Sequence, residues 1–248
     1  MSDLSPLGLA FYAAVLLSAF AVRSAAGFGA GLIAIPMLAF ILPVSTAVSV
    51  ASVFTTLASI EQVRREWRQI AWRQFTVIFL YSMAGIGLGL YFIKLLDEDI
   101  MRRSLGIFMI LYSVYALWAV DTSRLLPRRW HGVLGAGAGI VGGLFSALFG
   151  AGAGPIYVVY FDILRLEKAA FRATMSAVVL FGGAARIAGY GSLGFYESST
   201  IALLAIGIPL VIVGSWLGDR LVYRLSARSF SRLVAAIMLL SGVILIVR

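Results

Sequence analysis

The sequence predicts an all-α polytopic membrane protein, built as a two-fold inverted repeat of about five helical segments each, some of them short or re-entrant. Three observations carry this reading. The 248-residue chain is 61% hydrophobic and only 12% charged, with a mean hydropathy of +0.99, whereas soluble domains run about half apolar and a quarter charged. A glycine-rich break recurs in each half of the chain. The arginine-rich connections change place between the halves.

Composition excludes several classes. With no cysteine and one histidine, there is no disulfide framework, no thiolate nucleophile and no metal site built on histidine. A bilayer-spanning helix takes about 20 residues, so roughly ten segments fill the chain and leave little for a soluble catalytic domain. The net charge of +9 and pI near 10.3 would suit a nucleic-acid binder, but the basic residues gather in short clusters between apolar runs, as on a cytoplasmic membrane face. No nucleic-acid partner is expected; the partners are the lipid bilayer and a small anionic solute, and a homodimer is compatible with the sequence. The first apolar run, Leu7 to Val22, follows a start holding Asp3 and no lysine or arginine. A cleaved signal would begin with basic residues, so this run reads as part of the mature protein.

Continuous apolarity places helical segments at 7–23, 31–42, 44–60, 74–95, 102–120, 131–149, 154–165, 169–190, 199–218 and 229–247. Two of them, 31–42 and 154–165, have about twelve residues, too short to cross comfortably and suited to half helices. Each follows a break, Gly27-Phe28-Gly29-Ala30-Gly31 or Gly150-Ala151-Gly152-Ala153-Gly154. A shift of 123 positions superposes Gly27, Gly29 and Gly31 on Gly150, Gly152 and Gly154, and Gly85-x-x-x-Gly89 lies over Gly214-x-x-x-Gly218 at a shift of 129. The chain therefore divides into a first transmembrane repeat, 1–125, and a second, 126–248.

Arginine counting orients the halves. The connection at 61–73 holds Arg64, Arg65, Arg68 and Arg73 and is expected in the cytoplasm, while its counterpart near 186–198 holds only Arg186. In the next pair the bias reverses: 94–103 offsets its cations with Asp97, Glu98 and Asp99, and 219–232 holds four arginines against Asp219. An inverted repeat with both termini outside explains the exchange, and a parallel repeat does not.

Glycines inside an apolar stretch need a reason. In hydrocarbon an unpaired backbone group costs several kcal/mol, so broken helix survives only within protein or beside water. The helix restarting after each break would present free N–H groups and a positive dipole end, which favours an anion. Pro155 suits the first turn of the second such helix. Two of these ends from inverted halves match the general pattern of a secondary transporter's substrate site. The opposing reading is close packing of small residues; it is preferred for Gly85, Gly89, Gly214 and Gly218, and the break is preferred for the two dense clusters. Gly137-Ala138-Gly139-Ile140-Val141-Gly142 matches G-x-G-x-x-G, but it lies inside an apolar helix with no strand before it, so no dinucleotide cofactor is expected.

Arg23, just before the first break, and Arg186, within 169–190, are cations in apolar surroundings. An arginine near the bilayer centre costs about 2.5–3.5 kcal/mol on insertion scales and normally faces a cavity or a partner. A guanidinium grips an oxyanion through two parallel hydrogen bonds; the alternative is that either one snorkels to the interface. Ser49, Ser52, Thr56 and Ser59 approximate one helical face, suited to a polar path or to bonding between helices, and Thr174 and Ser176 follow the second short segment closely. The expected substrate-binding set is Arg23, Ser24, Gly27, Phe28, Gly29, Gly31, Ser146, Gly150, Gly152, Gly154, Thr174 and Arg186, with no catalytic residue, metal or cofactor. Tryptophans 67, 72, 118, 130 and 216, near segment ends, and His131 at a helix start suit an interfacial belt.

Gly27-Phe28-Gly29-Ala30-Gly31-Leu32-Ile33-Ala34-Ile35-Pro36, repeated as Leu148-Phe149-Gly150-Ala151-Gly152-Ala153-Gly154-Pro155-Ile156, resembles the duplicated glycine-rich signature of the TauE/SafE sulfite exporter family. The similarity extends over nearly the whole chain. It departs at Ala30 and Ala153, where alanine replaces glycine, and at Ala51, where the family often has a threonine, kept here as Thr174. The resemblance implies a bacterial inner-membrane permease that moves small sulfur-containing anions such as sulfite, sulfoacetate or thiosulfate out of the cytoplasm. The rivals are an anion-selective channel, an intramembrane enzyme, disfavoured because a nucleophile–base pair is hard to assemble from this composition, and an assembly subunit without flux of its own. Proton coupling would use a buried carboxylate, and the candidates Asp162, Glu167 and Asp219 lie at segment ends. Uniport down the anion gradient, with export favoured by an inside-negative potential, remains an alternative.

Overall fold

The computed structural model describes residues 5–26, 29–118, 130–150, 153–221 and 227–247. The described chain is helical throughout: α1 Pro6–Ala26, α2 Ala30–Leu38, α3 Val44–Glu66, α4 Trp72–Ile93, α5 Glu98–Trp118, α6 His131–Phe149, α7 Ala153–Ile163, α8 Lys168–Ser192, α9 Ser198–Leu221 and α10 Ala227–Val247, with a 3-10 turn at Trp67–Gln69. The order long, short, long, long, long occurs twice. The helices at 6–24, 44–69, 72–93, 131–149, 168–192 and 198–218 are long and apolar enough to cross a membrane. In α5, Glu98, Asp99, Arg102 and Arg103 crowd the first two turns ahead of the apolar stretch.

Two expectations are corrected. The basic stretch expected as a connection at 61–73 is mostly helix: Arg64 and Arg65 sit in the last turn of α3, where cations complement the negative dipole end. Arg186, counted with the 186–198 connection, lies inside α8, almost two turns before its end at Ser192. The short segments are shorter than read, nine residues in α2 and eleven in α7. α7 stops because Arg165 adopts φ 51°, while Arg165 N–H and Leu166 N–H return to the carbonyls of Asp162 and Phe161. That closure satisfies the carbonyls of the last turn.

The helices form two compact units, each mixing helices from both sequence halves. The first unit contains Met1–Phe54, Leu96–Val120 and Gly194–Arg248. In it α1 packs along α9, α5 along α10, and α2 against α1 and α10. Gly214 abuts Leu17 and Gly218 abuts Ala21, so α1 and α9 run in the same sense. Gly106 meets Gly242 and Ile246, and Gly242 meets Ile110, so α5 and α10 run in opposite senses. The second unit contains Thr55–Leu95 and Asp121–Leu193. There α4 packs along α6, α8 against α4, and α7 against α6 and α8.

The glycine pairs expected to serve packing do so, in duplicate. In the second unit a Cβ on Gly85 would strike Ile140 and Leu144 of α6, and one on Gly89 would strike Leu144 and Ala147. Ile140 and Leu144 lie 123 positions after Leu17 and Ala21, the partners of Gly214 and Gly218. One small-x-x-x-small contact is thus made twice, each time between the first long helix of one half and the fourth element of the other. The G-x-G-x-x-G stretch is also packing: Gly139 lies against Ile78, Tyr81 and Ser82 of α4, Gly142 against the Tyr157 ring, and Gly137 has open space.

Candidate functional site

Each unit holds one break, described here by itself. In the first unit α1 ends at Ala26 and α2 restarts at Ala30. Gly29, the N-cap of α2, has φ 96° and offers no side-chain hydrogen bond to the helix start. Only glycine takes this left-handed conformation without a Cβ clash. Gly27 and Phe28, expected in the site, lie outside the described residues. Arg23 occupies the last turn of α1 and is 8% exposed. Ser24 is half-buried and Gly31 is buried in the first turn of α2. A cavity of about 350 Å³ in this unit lies at the far end of α2, lined by Leu9, Ile41, Leu42, Pro43 and Thr46 with the start of α9. None of the expected site residues lines it.

In the second unit α6 ends at Phe149, Gly150 takes φ 66°, and α7 begins at Ala153. Gly152 lies outside the described residues. At Gly154, in the first turn of α7, nothing beyond its chain neighbours and the helix's own backbone lies within 4 Å of where a side chain would begin. The backbone there is approachable from the side.

The same unit collects the polar groups. Arg186 is 4% exposed, and its Nη1 donates a hydrogen bond to the Ser146 hydroxyl on α6. It lies inside α8, six residues before the helix ends at Ser192. The Tyr157 hydroxyl, from α7, lies close to Ser82 of α4 and in the field of the Arg186 guanidinium, while the Ser82 hydroxyl donates to the Phe79 carbonyl at 2.9 Å. The Tyr190 hydroxyl donates to the Ala147 carbonyl at 2.5 Å. That carbonyl belongs to the last turn of α6, whose acceptors have no partner within the helix. Ser82, Ser146, Tyr157 and Tyr190 are all buried.

Of the expected site residues the structure brings Arg186 and Ser146 together, and it sets beside them the buried Tyr157, Tyr190 and Ser82, which sequence reasoning did not single out. The signal for Tyr157 was present in Gly142, whose missing side chain is the notch that admits the ring. Thr174 is fully buried, and its hydroxyl accepts the backbone N–H of Ala71 at 2.9 Å, so it caps the start of α4. On the serine face of α3, Ser49 and Ser59 donate to Thr46 and Thr55 carbonyls of their own helix. Trp67 and Trp72 are partly exposed and pack edge-on at 4.6 Å, and Arg220 lies 4.1 Å over Trp216, as interfacial residues do. Among the described residues no three His, Asp or Glu side chains gather to hold a metal.

Membrane-length helices, with a positive-φ glycine at each of two interruptions, define a polytopic helical membrane protein. The profile of the family described as "Sulfite exporter TauE/SafE" matches residues 11–245, and the chain belongs to that family. It is also similar to "Probable inner membrane transporter protein TsaS" of Comamonas testosteroni, 28% identical over 182 residues, covering 71% of this chain and 72% of the relative. No solved structure matches.

Proposed function

We propose that this protein is a secondary permease that exports small sulfur-containing oxyanions, of the sulfite, sulfoacetate or thiosulfate kind, across the bacterial inner membrane by alternating access. The observation that carries the reading is the Arg186–Ser146 pair beside the break between α6 and α7. A guanidinium already desolvated and oriented by a hydroxyl binds an oxyanion without first giving up its own water. The open backbone at Gly154 and the N–H groups starting α7 add donors that suit negative charge. Arg23 and Ser24, with the N–H groups that start α2 after Gly29, supply a comparable set in the first unit. The sulfur-oxyanion class and export come from family membership, and the inner-membrane location also from the printed name of the relative.

The inverted repeat belongs to the same proposal. Its support is that α5 and α10, the last helices of the two halves, run in opposite senses; corresponding helices of a parallel repeat would run alike. Both termini then lie on one side, taken as the periplasmic side from the basic stretch around Arg64–Arg73.

Purified protein in vesicles, loaded in turn with sulfite, thiosulfate, sulfoacetate and sulfate, tests the reading. Saturable flux of at least one sulfur anion is expected, sharply reduced by Arg23→Ala and by Arg186→Ala in variants that still insert. Flux equal to that of empty vesicles for every anion overturns it. Single-channel currents would establish the channel instead.

A further inference from the structure

We propose that Glu66 is the protonation site that couples anion movement to protons, and that it acts through Arg172. The inference rests on the transporter reading above and adds its coupling ion. Among the residues whose side-chain burial is described, Glu66 is the one carboxylate that is not exposed. Its side chain is 19% exposed, and one oxygen accepts from Arg172 Nη2 on α8 at 2.9 Å. The ion pair is half made. Glu66 Oε2 and Arg172 Nε are buried without a hydrogen-bond partner, as is Gln62 Nε2 one turn earlier on α3. A guanidinium and a carboxylate side by side can form two parallel bonds; here one forms and the second donor and acceptor stay open. An acceptor in this state gains from a proton, and a donor in this state gains from another anion.

The placement links this pair to the anion site. Arg172 and Arg186 both project from α8 and are 14 residues apart, about 21 Å along the helix and on nearly the same face, since 14 residues are close to four whole turns. With Glu66 ionised, Arg172 ties the start of α8 to the end of α3. When Glu66 takes a proton, an O–H bond forms, the ion pair is lost, and α8 gains one net positive charge and freedom at that end. Proton and anion then favour each other's binding, which is the sign of co-transport; release of the proton from the same oxygen restores the pair. The carrier runs outward whenever the cytoplasmic anion excess outweighs the proton gradient. The other charges at this end of the unit are Glu61, already held by Arg64 and Arg65, Arg68 of the 3-10 turn, Arg73 at the start of α4, and Asp162, Arg165, Glu167 and Lys168 around the end of α7 and the start of α8, the last four exposed.

The experiment uses the full chain in vesicles carrying a trapped pH dye, with labelled thiosulfate, whose charge does not titrate near neutrality. Wild type is expected to move protons together with thiosulfate, and a one-unit pH gradient should change its steady-state accumulation about tenfold. Glu66→Gln should lose gradient-driven accumulation while still exchanging labelled for unlabelled thiosulfate, and Glu66→Asp should recover coupling with a displaced pH profile. Exchange by wild type with no proton movement overturns the coupling and leaves the transporter reading standing. Retained gradient-driven accumulation in Glu66→Gln removes Glu66. Absence of flux for every anion in wild type defeats both. Where Glu66→Gln fails to fold, Glu66→Asp carries the test of the residue: a pH profile identical to wild type in it removes Glu66.

Discussion

Arg186 donates its hydrogen bond to Ser146, and Ser146 stands 123 positions after Arg23. By the repeat register the two halves therefore place different residues at one site, three residues before the end of the helix that leads into each break. The first half puts a guanidinium there directly. The second puts a hydroxyl there and brings its guanidinium from α8. Each break thus has one buried arginine, reached by a different route.

Removing either member of the second pair should weaken transport unequally. A hydrogen bond to a charged group contributes about 1.5–3 kcal/mol, so Arg186→Ala is expected to lower thiosulfate kcat/KM by about 10- to 150-fold. Ser146→Ala keeps the charge and should cost less, mainly through KM. Equal losses in initial-rate measurements would mean that the pair acts only as a structural tie.

Tyr157→Phe keeps the ring in the Gly142 notch and deletes the hydroxyl that lies close to Ser82. The ring's packing is retained, so a stability loss of no more than about 1 kcal/mol is expected from removing the hydroxyl. A raised KM at unchanged protein yield would place the hydroxyl near the anion. A lowered melting temperature with unchanged KM would assign it to packing.

The two glycine environments predict opposite responses. Gly29 holds φ 96°, so Gly29→Ala is strained by about 1–2 kcal/mol wherever the neighbours sit. Gly154 has open space and lies in a helical first turn, where Ala has the better propensity. Gly154→Ala should therefore fold at least as well as wild type, and any loss of flux in it reports on anion access to the backbone. Thermal melts and flux on the same preparations separate the two effects.

Small-residue packing is tested by contrast within one family of substitutions. Gly218→Val pushes into the Ala21 backbone and Gly89→Val into Leu144 and Ala147; overpacking of this kind typically costs about 1–3 kcal/mol. Gly137→Val meets nothing within 4 Å and should melt close to wild type in detergent. Equal melting temperatures for all three would contradict the helix pairing.

Much of the architecture was legible because the bilayer imposes it. Apolar runs of spanning length must be helices when no water is present to satisfy the backbone, so α6 coincides with its expected range and most other boundaries lie within a few residues. The breaks were legible for the same reason: glycine inside a span marks backbone that packs, turns or is approached. The end of α3 was misread, because Arg64, Arg65 and Glu66 look like a loop by composition while the helix simply emerges into a polar environment. Glu66 escaped notice with it.

The sequence by itself determined that this chain is an all-helical membrane protein of the TauE/SafE family, because hydropathy, glycine spacing and the family signature are properties of order along the chain. Only the tertiary structure decided which helices pair across the halves, that Arg186 is buried against Ser146, and that Thr174 caps α4. Those outcomes depend on which side chains fit which notches, and complementarity of shape between distant segments leaves no periodic trace in either segment alone.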